Sequence, residues 1–140
     1  MKRILVGVDG SGESQAAARY AASIAVATGS TLELAHALPD LSYVSPELSY
    51  LTDDAQGQRR EHAQLMLHDL ADAMSHQIAQ VDTSLLDGRA AHMLAEQARR
   101  PDVWLVVVGH RGRGAVERTL LGSVADRLVE VCPKPVLVVR

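Results

Sequence analysis

Residues 103–114 of this chain read VWLVVVGHRGRG, an apolar run that ends in a glycine-rich segment. An uninterrupted apolar run of this length is typical of a β-strand that is covered on both faces. The glycines that follow permit tight turns and allow other groups to approach the backbone closely. Residues 4–12, ILVGVDGSG, repeat the arrangement near the start of the chain. We therefore expect two buried strands that each end in a glycine loop.

Apolar periodicity alternates between strand and helix along the rest of the chain. Residues 40–53 form the longest irregular connection. The order β-α-β-α-β-α-β-α-β predicts an α/β fold of three layers, in which a five-stranded parallel sheet lies between two layers of helices. Strands are predicted at residues 4–8, 31–38, 83–86, 103–108 and 136–139, and helices at residues 13–28, 54–79, 89–99 and 123–131.

Each predicted helix carries apolar residues near helical spacing, and these side chains are expected to face the sheet. The residues are Ala17, Tyr20, Ala21, Ile24 and Ala25 in the first helix, Leu65, Leu67, Leu70, Ala73 and Met74 in the second, Ala91, Leu94, Ala95 and Ala98 in the third, and Val124, Leu128 and Val131 in the fourth.

Composition narrows the class of protein. A chain of 140 residues that is 47% hydrophobic predicts one domain over residues 1–140. The formal charge of −3 and the 3% aromatic content argue against nucleic-acid binding. No apolar run approaches the roughly 20 residues of a membrane span, and the first residues do not resemble a signal peptide. The single cysteine, Cys132, fits a reducing compartment. We therefore expect a cytoplasmic protein.

The two glycine loops indicate where a ligand would bind. Residues 7–12 and 109–114 both follow the spacing G-x-x-G-x-G. In open α/β sheets, ligands bind outside the carboxyl ends of the strands, where the strand order reverses. Neither loop matches the dinucleotide fingerprint or the P-loop. The alternative is that both loops are ordinary turns between a strand and a helix.

The start of the last predicted helix is suited to phosphate. The backbone N–H groups of Gly122, Ser123 and Val124 are expected to be unpaired there, and the helix dipole favours an anion. Arg111, Arg113 and Arg118 would add positive charge. The alternative is that Ser123 only caps the helix.

These features resemble the ATP-binding branch of the universal stress proteins. That branch carries the motif G-x2-G-x9-G-[ST], which reads here as Gly109, Gly112, Gly122 and Ser123. The opening ILVGVDGS and the closing KPVLVV are also similar to the family's. The resemblance implies the sheet order 3-2-1-4-5 of a Rossmann-like fold related to the adenine nucleotide alpha hydrolases. Strands one and four would then be neighbours.

The resemblance also implies an ATP site, with Mg2+ as the companion ion. The end of strand one would hold adenine and ribose, the end of strand two would line the adenine slot, and the second glycine loop would meet the phosphates. Together with Arg111, the residues assigned to ATP are Val8, Asp9, Gly10, Ala37, Val108, Gly109, Gly112, Arg113, Gly122, Ser123 and Val124. His110 departs from the family, which often has Ser there.

Similar proteins pair as homodimers through the last strand, which corresponds to Val136–Val139. The resemblance implies a nucleotide-dependent stress-response regulator, with an unidentified protein partner as a further possibility. We expect little or no ATP hydrolysis, since neither Asp9 nor Glu117 can be assigned as a base. No catalytic residue is assigned.

Two other functions stay open. A phosphorylated receiver domain also has five alternating strands, and Asp87 of this chain follows the third predicted strand. The chain lacks, however, the acidic pair after strand one and the lysine after strand five that a receiver needs. A dimeric interaction module that binds no nucleotide is the second. No metal site is expected, because His62, His68 and His76 lack the i, i+4 spacing of paired helical ligands. Cys132 is expected to be a small packed residue rather than a redox switch.

Overall fold

A computed structural model of the chain describes residues 1–39, 53–111 and 121–140. Most of the predicted connection at 40–53 lies outside these ranges. The strands and helices alternate as predicted from the sequence. In chain order they are β1 (Arg3–Gly7), α1 (Gly12–Thr28), β2 (Thr31–Leu38), α2 (Asp53–Met74), β3 (Val81–Asp87), α3 (Ala90–Gln97), β4 (Val103–Gly109), α4 (Ser123–Val131) and β5 (Val136–Val139).

The strands form one parallel sheet in the order β3-β2-β1-β4-β5. This confirms the predicted order. β1 lies between β2 and β4, with Gly7 beside Ala35 of β2 and Val6 beside Val107 of β4. The strand order reverses between β1 and β4. Their carboxyl ends therefore meet at the point where ligands bind in open α/β sheets.

β3 is longer than the sequence pattern predicts. Its pairing with β2 runs from Val81 to Asp87, whereas apolarity alone indicates residues 83–86. The partner strand supplies the backbone hydrogen bonds that extend it, so the weak apolar pattern at its ends does not limit its length. β3 is an edge strand. A receiver domain has the order 2-1-3-4-5 with its third strand in the centre, and the observed order excludes that fold.

Two apolar cores lie on opposite faces of the sheet. One joins the sheet to α1 and α2 and includes Ile4, Val6 and Leu67. The other joins it to α3 and α4 and includes Leu5 and Leu128. The predicted apolar face of α3 is confirmed by the burial of all four of its residues: Ala91, Leu94, Ala95 and Ala98.

Several side chains predicted to face the sheet instead lie at the surface. Tyr20 is 56% exposed and Leu65 is 58% exposed. Ala73 is also exposed, and so is Val124 at the start of α4. In α1 the buried face is made of small residues, which let the helix lie close to the sheet and leave no room beneath it for a tyrosine ring. They are Ser14, Ala17, Ala18, Ala21, Ala22 and Ala25.

The ends of the helices have local causes. α1 begins after Ser11, whose side chain accepts a hydrogen bond from the Ser14 N–H, and it ends at Gly29 in the left-handed conformation with φ 65°. α2 ends at Met74 and not at residue 79, because the Gln77 N–H donates to the Met74 carbonyl at 3.1 Å in a tight turn. That turn returns Ile78 to the core. Among the helices of the described ranges, none has the length and apolar composition of a membrane span.

Candidate functional site

The carboxyl end of β4 lies directly on the first turn of α1. A Cβ atom built on Gly109 would lie 3.0 Å from the carbonyl carbon of Glu13 and 3.2 Å from the Ser14 nitrogen. Real Cβ atoms rarely approach backbone atoms so closely, and the backbone has no flexible end that could move aside. Position 109 therefore favours glycine, because any larger residue would push the backbone of α1 aside by a few tenths of an ångström. The end of β4 therefore lies beside the first turn of α1, directly after the loop that follows β1. Residues 112–114 of the second glycine loop lie outside the described ranges, so the predicted meeting of the two loops stays a prediction.

The loop after β1 is held by its own side chains. The Asp9 carboxylate accepts a hydrogen bond of 2.9 Å from the Ser11 N–H, and Gly10 takes the left-handed conformation with φ 85°. The Ser14 hydroxyl is 3.3 Å from the Asp9 nitrogen. This turn directs the end of β1 over the sheet edge and sets the orientation of the Asp9 carboxylate.

The ends of β1 and β2 are joined by a histidine. The His36 Nδ1 atom lies 2.7 Å from the Val8 carbonyl oxygen, and the Val8 N–H donates to the Ala35 carbonyl at 2.8 Å. His36 is half-buried next to Ala37, the residue predicted to line the adenine slot. His36 is not among the residues predicted from the sequence. A polar residue near the end of a strand that borders the crevice was the available signal.

The residue after β4 is hydrogen-bonded to β5 and to the start of α4. The His110 N–H donates to the Val139 carbonyl at 2.6 Å, and the Gly122 N–H donates to the His110 carbonyl at 2.7 Å. These bonds bring Gly122 beside the end of β4. They also correct one prediction, because the Gly122 N–H is not unpaired.

The start of α4 differs from the prediction in one further respect. Gly122, with φ −62° and ψ 154°, is the N-cap residue, and Ser123 is the first residue of the helix. The alternative in which Ser123 caps the helix is therefore wrong. Ser123 and Val124 belong to the first turn, whose N–H groups have no partner within their own helix.

Arg111 makes an unexpected contact with α1. Its backbone N–H donates to Glu13 Oε2 at 2.7 Å, and its guanidinium forms an ion pair with Glu13 Oε1. The Nε–H of Arg111 is buried and finds no acceptor among the described residues. The arginine predicted to contact phosphate is thus paired with a carboxylate. Glu13 was missed because it lies 98 positions away in the chain.

The predicted site residues gather at one edge of the sheet where they are described. Val8, Asp9 and Gly10 follow β1, Ala37 is the last residue but one of β2, and Val108 and Gly109 end β4. Gly122, Ser123 and Val124 open α4, and Arg111 follows β4. Four residues named from the sequence lie outside the described ranges: Gly112, Arg113, Glu117 and Arg118.

The described residues do not form a metal cluster. No group of three or more His, Cys, Asp or Glu side chains with suitable geometry occurs within residues 1–39, 53–111 and 121–140. His62 and His68 on α2 and His76 just after it are exposed to solvent. Cys132 is a free, half-buried thiol packed against the core beside α4, as predicted.

The described elements frame the carboxyl edge of β1 and β4. The first turn of α1 lies against the end of β4, and the start of α4 is hydrogen-bonded to the residue that follows β4. In an open α/β sheet this edge is the expected place for a ligand. The Asp9 and Glu13 carboxylates both accept hydrogen bonds from the chain.

Comparison with known proteins agrees with this geometry. The sequence profile of the universal stress protein family matches residues 1–140. A universal stress protein of Thermus aquaticus, named for its position 3' of a QAH/OAS sulfhydrylase gene, is 35% identical over 144 residues that cover 99% of this chain and 98% of the relative. A universal stress protein of Mycolicibacterium smegmatis is 33% identical, and there the chain spans 47% of the relative's length.

Solved structures share the fold. The universal stress protein UspA of Lactobacillus plantarum superposes with a TM-score of 0.88 at 26% identity, covering 99% of this chain and 97% of that one. A universal stress protein in complex with cAMP superposes with a TM-score of 0.73 at 24% identity, covering 99% and 96%. One from Archaeoglobus fulgidus in complex with dAMP gives 0.70 at 22%, covering 100% and 98%. With a family match over its whole length, this chain belongs to the universal stress protein family.

Proposed function

We propose that the chain is a regulatory protein that binds an adenine nucleotide, ATP above all, in the crevice between β1 and β4. The observation that carries the proposal is the hydrogen bond from the Gly122 N–H to the His110 carbonyl at 2.7 Å. It places the Gly122-Ser123 end of the G-x2-G-x9-G-[ST] motif beside its Gly109 end, which lies against α1. The two ends of the motif thereby border one crevice.

Two relatives of the same fold support the choice of ligand. Universal stress proteins have been solved in complex with cAMP and with dAMP. Both ligands are adenine nucleotides with a single phosphate. In this chain, Val8, Asp9, Gly10 and Ala37 would receive the nucleoside. Ser123 and Val124 would offer first-turn N–H groups to phosphate oxygens, with Mg2+ as the companion of ATP.

The proposal is one of binding with little or no hydrolysis. Hydrolysis of ATP needs a group that positions a water molecule for attack on the γ-phosphate. Asp9 already accepts from the Ser11 N–H, and Glu13 accepts from Arg111. Neither carboxylate is assigned to that role. A switch in a partner protein's binding, driven by bound nucleotide, is the expected output.

Thermal unfolding tests the binding. A ligand that binds only the native state adds roughly 2.7 kcal/mol to the free energy of unfolding at one hundred times its dissociation constant. We expect millimolar ATP to raise the melting temperature. We also expect denaturation of the purified protein to release an adenine nucleotide, which mass spectrometry of the supernatant would detect. An unmoved melting curve would reject nucleotide binding and would favour the interaction module that binds no nucleotide.

Gly122→Val locates the binding. Valine tolerates φ −62° and ψ 154°, and the substitution keeps the N–H that bonds to His110. The added side chain would occupy the space where α4 meets phosphate, so protection by ATP should be lost. Gly57→Val is the matched control, since Gly57 is exposed on α2 with open space around its Cβ position. Equal protection of both variants would contradict the placement.

We also propose that two copies pair through β5. β5 is an edge strand of half-buried apolar residues, and an open edge presents unpaired backbone groups. The carbonyls of Pro135 and Val139 accept hydrogen bonds from β4 and the loop after it. Because backbone groups alternate in direction along a strand, those of Val136 and Val138 face the open edge.

Val138→Pro tests the dimer, because it removes an outward N–H without touching the bonds to β4. Sedimentation should show a monomer for Val138→Pro and a dimer for both wild type and Val138→Ala. A monomeric wild type would reject the pairing. Cytoplasmic location stays a prediction from the single cysteine.

A further inference from the structure

We propose that Glu13 determines how strongly the site distinguishes nucleotides by phosphate charge. By pairing with Arg111, it keeps a positive charge away from the phosphates and limits the advantage of ATP over AMP. This inference rests on the proposed nucleotide site and deepens it. Glu13 is assigned as a specificity-determining residue that acts through Arg111.

The contact is two-pronged. One carboxylate oxygen of Glu13 accepts from the Arg111 backbone N–H at 2.7 Å, and the other accepts from its guanidinium. The Arg111 and Glu13 side chains are only 24% and 28% exposed. Two hydrogen bonds in a partly desolvated place hold the pair more firmly than a surface ion pair would be held.

The position of the pair connects it to the phosphate end of the site. Gly109 lies against the backbone of Glu13 and Ser14, and Arg111 follows two positions later at the entry of the motif's loop. The carbonyl of the intervening His110 accepts from Gly122 at the start of α4. Arg111 is therefore adjacent in the chain to His110, whose hydrogen bond to Gly122 brings the start of α4 to the end of β4. Glu13 is also the acidic residue of the first turn of α1, where a negative charge is favourable.

The charge balance gives the direction of the effect. A guanidinium matched by a carboxylate adds little net attraction for a phosphate group. An unmatched guanidinium attracts each additional phosphate charge, so its release favours ATP over AMP. The buried Nε–H of Arg111 has no acceptor among the described residues. This donor could therefore bind a phosphate oxygen without breaking an existing hydrogen bond.

The experiment compares the affinities for AMP and ATP by calorimetry in buffer with EDTA at low salt. Glu13→Gln should raise the preference for ATP over AMP by about tenfold, which corresponds to one unmatched charge in a partly screened site. Arg111→Gln should lower that preference, because it leaves Glu13 unmatched. The double variant Glu13→Gln/Arg111→Gln restores the net charge of the wild-type pair and should return to within about twofold of wild type.

Glu96→Gln is the matched control. It removes a carboxylate on α3 that pairs with Arg99, just after the helix, at the exposed surface, and it should leave the preference unchanged. Raising the ionic strength should reduce the effect of Glu13→Gln, because salt screens the added attraction.

The outcomes separate this inference from the proposed function. Equal loss of AMP and ATP affinity in Glu13→Gln would mean that Glu13 only positions the loop, and would overturn the inference while leaving nucleotide binding intact. An unchanged preference in both single variants would overturn it as well. If Glu13→Gln fails to fold, Arg111→Gln decides alone by the direction of its change. A wild-type protein that binds neither nucleotide would reject the proposed function itself.

Discussion

The carboxylate of Glu33 accepts a hydrogen bond of 2.9 Å from the guanidinium of Arg100 in the interior of the protein. Glu33 is only 3% exposed, and it also accepts from Ser84 at 2.9 Å and from Gln97 at 2.7 Å. Arg3 lies 3.3 Å from the same carboxylate. The cluster occupies the amino-terminal half of β2, away from the carboxyl edge that carries the candidate site. A buried charge is stable here because its oxygens are paired and hydrogen-bonded.

Glu33→Gln should lower the free energy of unfolding by about 2 kcal/mol or more, because it removes the buried negative charge that the guanidinium groups of Arg3 and Arg100 both contact. The midpoint of urea unfolding measures the change. Glu130→Gln is the control: its ion pair with Arg127 is at the surface, with side chains 60% and 65% exposed, and its loss should change stability by at most about 0.5 kcal/mol. Equal midpoints for the two variants would show that the buried cluster contributes nothing particular.

Stability should fall in acid because of Asp82 and Asp102. Hydrogen bonds from Arg3 hold the pKa of each carboxyl below its usual value of 3.8. A group whose pKa is lower in the folded state stabilises the fold above its unfolded pKa, and that contribution is lost as the pH falls through the folded pKa. We expect full stability from this pair above about pH 4 and a decline below it.

Urea unfolding at a series of pH values between 7 and 3 measures the decline. The double variant Asp82→Asn/Asp102→Asn should be less stable at pH 7 and should lose less stability on acidification than wild type. An equally steep decline in that variant would assign acid sensitivity to other groups.

Gly109→Ala should disturb both the fold and the site. The new methyl group would lie 3.0 Å from backbone atoms of Glu13, so α1 and the end of β4 must separate. Overpacking of this kind destabilises by about 1–3 kcal/mol, and nucleotide affinity should fall with it. Gly12→Ala is the matched control, because a Cβ there meets open space at the start of the same helix. Unfolding midpoints that rank the two variants equally would refute the close approach, and an ATP titration of Gly109→Ala against wild type measures the loss of affinity.

His36→Ala should weaken the binding of adenosine and of all adenine nucleotides to the same extent. The substitution removes the bond between Nδ1 and the Val8 carbonyl, which joins the ends of β1 and β2 beneath the expected adenine position. The loss should be about tenfold in affinity, near the value of one hydrogen bond. Adenosine, AMP and ATP should be affected equally, in contrast with Glu13→Gln. A loss confined to ATP would place His36 at the phosphate end instead.

Local sequence patterns predicted the bounds of those helices and strands whose apolar spacing is clear. α4 and β5 have the predicted bounds, and β2 does as well. Ser11 and Gly29 mark the ends of α1 by their capping chemistry. The pattern failed where a neighbour outweighs it, as at Tyr20, whose ring is displaced by alanine packing, and at β3, which β2 extends.

In the candidate site, too, some residues could be predicted from local sequence and others could not. The glycines of both loops were recognisable from sequence, because their spacing follows apolar strands. The partners of those loops were not, since Glu13 is 98 positions from Arg111 and His36 is 28 positions from Val8. No local pattern links residues at such distances.

By itself, the amino-acid sequence determined the alternation of strands and helices, the position of the glycine loops and the family, because these depend on the identity and spacing of residues near each other in the chain. Only the tertiary structure decided which polar and charged groups pair with each other. It paired Glu13 with Arg111, committed the Gly122 N–H to His110 and collected Arg3, Arg100 and Glu33 in one cluster. The reason is physical: a partly buried polar group bonds to whichever partner the packing of the sheet and helices brings within reach.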